Sequence, residues 1–234
     1  PRYYISVGPL LNAGSAYQWA RDTFVLSDPQ SPRPAAGDFQ DPGAAYGLME
    51  QWVSQVEAGS GGVTFLPYLL GERSPFRDPH ARGVFFGLSP GTRRGHLLRA
   101  VQEGVAYGIR HIMDAMSDLS HLERLVFIGG GSRSATWSQI LADVTGCRIA
   151  VPHESVGGPA LGAAVCALVG VGVAAGYEVV DHLLQIRAEY LPDPQRVERY
   201  RRLYAVYRDL YPALREAYQQ LAAVTADSFG AVST

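Results

Sequence analysis

The sequence predicts an α/β fold in which strands and helices alternate. Three observations carry this. From residue 122 onward, an apolar run (122–128), three glycines (129–131), a helix-like segment (134–146), a second apolar run (147–152) and a small-residue helix (158–170) follow in order. Upstream, Leu97, Val101, Val105, Ile109, Ile112 and Met116 recur near the helical period and mark a long helix over 92–118. Finally, 47% of the 234 residues are hydrophobic and 18% charged, a globular balance that allows a full core without disulfide staples. The order after residue 122 implies a layered sheet with right-handed crossovers.

The remaining elements follow in chain order. Residues 3–11 (YYISVGPLL) read as a short strand and turn, and Ser15 to Phe24 as a helix. Residues 27–43 hold four prolines and two glycines and read as a loop. Helix is expected over 44–57, broken by Gly59 to Gly62, and VTFLPYL (63–69) reads as a strand. The Gly-, Pro- and Arg-rich stretch 71–88 is loop with a strand near 83–88. LERLVFI (122–128) reads as a buried strand, the helix at 134–146 ends at Gly146, and CRIAVP (147–152) is a strand. A single long helix covers 193–223. Its stripe of Tyr200, Leu203, Tyr204, Tyr207, Leu210, Tyr211, Leu214, Tyr218 and Leu221 points to core or interface packing. Residues 226–234 are expected to fray.

Charge and residue usage exclude several functions. The net charge is −2, without a single-sign block, so neither a nucleic-acid face nor a polybasic membrane patch is expected. All 20 basic residues are Arg, which removes a Walker A loop, a Schiff-base lysine and a lysine base from this chain. The six histidines lack HxxxH or HExxH spacing, so no metal site is expected. Cys147 and Cys166 form no CxxC pattern and read as structural thiols of a reducing, cytoplasmic compartment. No stretch is long and apolar enough to span a bilayer. The chain starts on Pro1 and not Met, as a processed or excised piece would.

Four stretches could carry chemistry. Gly129, Gly130 and Gly131, with Ser132 and Ser134, lie where a strand opens into a helix. Backbone N–H groups and a positive dipole end there can take a nucleotide, and the same glycines can simply make a tight turn. The third glycine of GxGxxG is replaced by Ser134, and no acidic residue closes the next strand; Glu154 comes later. Glu154 with Gly157–Ala164 allows close ligand approach or close helix packing. GERSPFRDPHARG (71–83) gathers Glu72, Arg73, Arg77, Asp78, His80 and Arg82, either as a sugar or phosphate site or as a loop ordered by its own salt bridges. Glu103 beside the mid-helix Gly104 is a catalytic carboxylate or a helix-surface or hinge residue, and Gly104 itself implies close packing.

Together these stretches resemble the C-terminal half of the FGGY carbohydrate kinases. The matching residues are FLPYLLGERSPFRDPHARGVFFGL (65–88), HLLRAVQEGVAYGIR (96–110), FIGGGSRSATWSQILADVTG (127–146) and ESVGGPALGAAVCALVGVG (154–172), with LNAGSAYQWARD (11–22) and YRRLYAVYRDLYPAL (200–214). The likeness spans nearly the whole chain in family order and is nearest the xylulokinase-like and gluconokinase-like members. It implies an actin-like ATPase (ribonuclease-H-like) domain over residues 1–225. ATP and magnesium would serve as cofactors for phosphorylation of a sugar hydroxyl.

The resemblance carries the adenosine contacts onto Gly129, Gly130, Gly131, Ser134 and Ala135. Some relatives have Asn where Ala135 stands, so one adenine hydrogen bond is in question. It assigns no catalytic residue here: the family's general-base Asp, its first phosphate loop and most sugar contacts lie in an N-terminal domain that this chain lacks, and a second phosphate loop, of the GTSG type, precedes the segment that matches residue 1. The partners implied are ATP, a small sugar and that N-terminal domain, and the chain alone is expected to be inactive. Two other readings stand beside it. One is a Rossmann-type dinucleotide-binding domain. The other is a degenerate, non-catalytic module that self-associates as a homodimer through the apolar face the absent half would cover.

Overall fold

The computed structural model describes residues 6–27, 42–116, 122–153 and 158–230. In chain order the elements are α1 (Gly14–Arg21), α2 (Pro42–Ser54), β1 (Thr64–Leu66), β2 (Val84–Phe86), α3 (Arg94–Ala115), β3 (Arg124–Val126), α4 (Ala135–Thr145), β4 (Arg148–Pro152), α5 (Gly158–Gly170), α6 (Val179–Leu183), β5 (Ile186–Tyr190) and α7 (Pro194–Gly230). A π-turn, Asp22–Leu26, extends α1, and a 3₁₀ turn, Gly130–Arg133, precedes α4. β1 and β2 pair antiparallel, with Phe65 opposite Phe85. β3 and β4 pair parallel with α4 as their crossover, and β5 joins the far side of β4 antiparallel. None of the helices among the described residues is long and apolar enough to cross a membrane.

α3 is the spine. Every residue from Leu98 to Gly108 is buried, so the expected one-sided helix is covered nearly all round. It packs on β1, α4, α2, α1 and α7. Gly104 makes this possible: a Cβ there would collide with the Phe65 carbonyl of β1. The Tyr stripe of α7 completes the core, with Tyr200, Tyr204 and Tyr207 buried around the Tyr107 ring. Burial of each such side chain contributes on the order of 1.5–3 kcal/mol. Leu221, at the end of that stripe, is exposed.

Several expectations need correction. Residues 6–11 form no strand, and residues 1–5 and 28–41, which hold the rest of the expected strand and most of the Pro-rich loop, lie outside the described residues. β3 is an edge strand, and its face bearing Arg124, Val126 and Ile128 is exposed, not buried. Its apolar run packs on one side only, through Leu125 and Phe127. Near that face, Glu189 of β5 sits between Arg124 and Arg148, 3.7 and 3.6 Å away, a charge ladder across three strands. β5 and α6 were not expected, although Ile186-Arg187-Ala188-Glu189-Tyr190 alternates with strand period. α7 runs to Gly230 instead of stopping at 223.

Candidate functional site

The glycine loop starts where β3 runs out. Phe127 N still donates to Ala150 O (2.9 Å), extending the parallel pairing by one residue. Gly129 then takes φ +86°, the left-handed region that side chains avoid. The turn closes on itself. Ser132 donates from N and from Oγ to Gly129 O (3.2 and 2.8 Å), and Ser134 N donates to Gly131 O (3.1 Å).

The three glycines serve different ends. A Cβ on Gly131 would lie 2.9 Å from the Phe127 ring and 3.1 Å from the Trp137 ring, so this glycine lets the loop rest on two aromatics. A Cβ on Gly129 or Gly130 would meet nothing within 4 Å. The outer side of the loop is therefore bare backbone facing open space, beside the exposed Val126 and Ile128. Ala135, the first residue of α4, is exposed as well.

Ser134 caps α4. It stands in extended conformation and its Oγ accepts from Trp137 N (2.9 Å). The proton of that hydroxyl goes to Glu50 Oε2 (2.6 Å), and Glu50 Oε1 accepts from Thr136 N (2.9 Å). A carboxylate of the chain's own thus sits on the positive end of α4, where an external phosphate would otherwise bind. The sequence marked Ser134 but not Glu50, which lies 84 residues away on α2 and carries no motif. Behind the loop, the Tyr17 ring lies 5.0 Å from Trp137. Burial, with the Glu50 charge second, pushes the Tyr17 phenol well above the usual tyrosine range.

The other marked stretches resolve into structural roles or fall outside the described residues. Glu103 is buried and saturated: Arg99 Nε (2.8 Å), Gly59 N (2.9 Å) and Tyr200 OH (2.8 Å) donate to Oε1, and Ser60 Oγ donates to Oε2 (2.8 Å). It locks α3 to α7 and to the 59–62 turn and lies on no open surface. In the 71–83 loop the carboxylates bind backbone and tyrosine, not the loop's arginines. Glu72 Oε1 accepts from Leu11 N (3.2 Å) and Arg73 N (2.7 Å). Asp78 accepts from His80 N (2.8 Å) and Tyr211 OH (3.0 Å). Burial pushes the Glu72 carboxyl up, against the backbone donors that pull it down. Arg73, Arg77, His80 and Arg82 are exposed. Glu154 and Gly157 lie outside the described residues; of that stretch, Gly158 opens α5 against Ile128, 2.9 Å from its would-be Cβ.

Among the described residues no three His, Cys, Asp or Glu side chains gather as metal ligands. Cys147 is buried and Cys166 exposed, both free.

Comparison with known proteins places this arrangement. The family model described as "FGGY family of carbohydrate kinases, C-terminal domain" matches residues 1–171. The chain is 30% identical to a gluconokinase of Bacillus licheniformis, over 94% of this chain and 42% of that protein. It is 33% identical to a xylulose kinase of Escherichia coli, over 94% of this chain and 41% of that protein. The crystal structure of a ligand-bound xylulose kinase from Lactobacillus acidophilus superposes with a TM-score of 0.76 at 26% identity, covering 92% of this chain and 40% of that one. The chain thus spans about two-fifths of the length of these relatives. It belongs to the FGGY family of carbohydrate kinases, as the C-terminal domain of their actin-like fold.

Proposed function

We propose that this chain is the C-terminal part of an ATP-dependent sugar kinase that transfers the γ-phosphate to a hydroxyl of a pentulose such as xylulose, or of a related sugar. Its share of the work is the adenosine side of the cleft, through Gly129, Gly130, Gly131, Ser134 and Ala135. The observation that carries this reading is the bare, outward backbone at Gly129 and Gly130 directly ahead of α4. A flat nucleoside can lie against a loop without side chains.

The same geometry argues against a Rossmann-type site. There the pyrophosphate sits on the helix N-terminus, and here Glu50 and Ser134 already fill that position. The hydroxyl of Ser134 has spent its proton on Glu50 and keeps only acceptor capacity for a ribose or base. A magnesium ion is best read as arriving with the nucleotide phosphates, since magnesium commonly uses one or two carboxylates plus phosphate oxygens. No ligand for it is assigned among these residues.

No carboxylate in this chain is read as the general base. Glu103 is buried in structural bonds, and Glu72 is buried with Oε1 on backbone donors and Oε2 without a hydrogen-bond partner among the described residues, so neither faces an open site. The base is expected from the N-terminal domain. General-base catalysis supplies roughly 10²–10⁴-fold, and substrate positioning adds to it. The isolated chain should therefore bind ATP weakly and phosphorylate no sugar. The exposed Val126 and Ile128, with the exposed Ala160, Gly162, Ala163 and Ala164 of α5, support a face that meets the N-terminal domain. A homodimer through that face is the competing outcome, and light scattering of the isolated chain separates the two. The functional test is calorimetry with ATP and with NAD on the chain and on Gly130→Leu. ATP binding that the substitution weakens supports the reading, and tight NAD binding without magnesium overturns it.

A further inference from the structure

We propose that Glu50 is a positioning residue of the nucleotide site, acting through Ser134 and the first turn of α4. The inference rests on the reading of the glycine loop as the adenosine wall. Gly129 and Gly130 have no side chains, and a Cβ on either would touch nothing, so packing does not fix their outward backbone. The loop's own hydrogen bonds close the turn, Arg187 of β5 ties one point of it to the sheet by donating from Nη2 to Ser132 O (3.2 Å), and the junction with α4 is held separately. Gly131 rests on Phe127, two residues ahead of the glycines, and on Trp137, which stands on the first turn of α4.

Ser134 is the junction between loop and helix. Its N–H donates back to Gly131, and its carbonyl accepts from Ser138 N (3.1 Å) and Ser138 Oγ (2.9 Å). Its hydroxyl accepts from Trp137 N and donates outward to Glu50 (2.6 Å). Glu50 grips two points of the junction at once, since its second oxygen takes Thr136 N (2.9 Å). Hydrogen bonds to a charged acceptor are about twice as strong as neutral ones. α2 can serve as the anchor because Met49, next to Glu50, is fully buried in the core. Glu50 bonds to Ser134 and Thr136, and its effect on a nucleotide passes through them.

The test is calorimetry with ATP and with adenosine on the 234-residue chain and three variants, below their unfolding temperatures. Glu50→Ala should weaken both ligands by a similar factor, about ten-fold, the loss of one or two charge-assisted bonds. Glu50→Gln still offers one acceptor oxygen and should recover most of that loss. Leu210→Ala opens a cavity in the core beneath α7, away from α2 and the loop, and should lower the unfolding temperature while leaving both affinities unchanged. The proposal is overturned if Glu50→Ala binds ATP as the parent chain does, or if Leu210→Ala weakens binding as much as Glu50→Ala. Absence of ATP binding by the parent chain would instead remove the adenosine-wall reading, and this inference with it.

Discussion

The seam between α3 and α7 and the loop between β3 and α4 are built on opposite plans. In the seam, Arg99, Glu103, Tyr200, Gly59 and Ser60 satisfy one another in a buried network, and Tyr107, Tyr204 and Tyr207 fill the space around it. At the loop, two glycines present backbone to open space and only Gly131 touches neighbours. The seam carries the polar side chains that look like chemistry in the sequence, and it uses all of them for structure. The loop carries almost no side-chain chemistry, and it is the region with room for a ligand. In this domain a functional group free to act is found where side chains are few, because every buried charge must be paired to be tolerated.

The strongest way to break the comparison is Glu103→Ala. It leaves the Arg99 guanidinium buried without its carboxylate and should cost about 3–5 kcal/mol in urea unfolding. A cost below 1 kcal/mol would mean that the network is not what joins α3 to α7. Gly104→Val forces a side chain against the Phe65 carbonyl and should cost about 1–3 kcal/mol by the same measurement.

At the loop, Gly129→Ala meets no atom but must hold φ +86°, and should cost about 1–2 kcal/mol. Smaller is the effect at Glu72. Burial raises its carboxyl in the folded state, so the folded protein holds that proton more tightly than the unfolded chain does. Stability from this group is complete at low pH and falls as pH rises from about 4 through the folded value. Glu72→Gln should flatten that fall in denaturation midpoints measured across the acid range. The smallest stability change is expected for Gly130→Leu, within about 0.5 kcal/mol, although its loss of ATP affinity should be plain. A large stability loss there would show that the loop is packed and not open.

Much of the fold was legible in the residues. Ser134 and Gly146 bracket α4 as cap and left-handed stop, and both act within one turn of their own position. The Tyr stripe of α7 announced its buried face by period alone. β3 misled because an apolar run does not say whether one face or two will be covered. β5 was passed over although Arg187 and Glu189 alternate with apolar neighbours. The site was half legible: the glycines stood out, while Glu50 resembled any other helix-surface acid.

The sequence by itself determined most of the elements between α1 and α5 and the long α7, the Gly146 stop of α4, the glycine loop and the family. These follow from contacts between residues three or four positions apart, or from motifs read as letters. Only the tertiary structure decided what each acid does. Glu103 meets Tyr200 across 97 residues and Glu50 meets Ser134 across 84. Whether a carboxylate ends as a buried tie, a helix cap or a free group depends on which donors packing brings to it. No local pattern encodes that, because the same Glu on the same helix face would be solvated if its partner helix lay elsewhere.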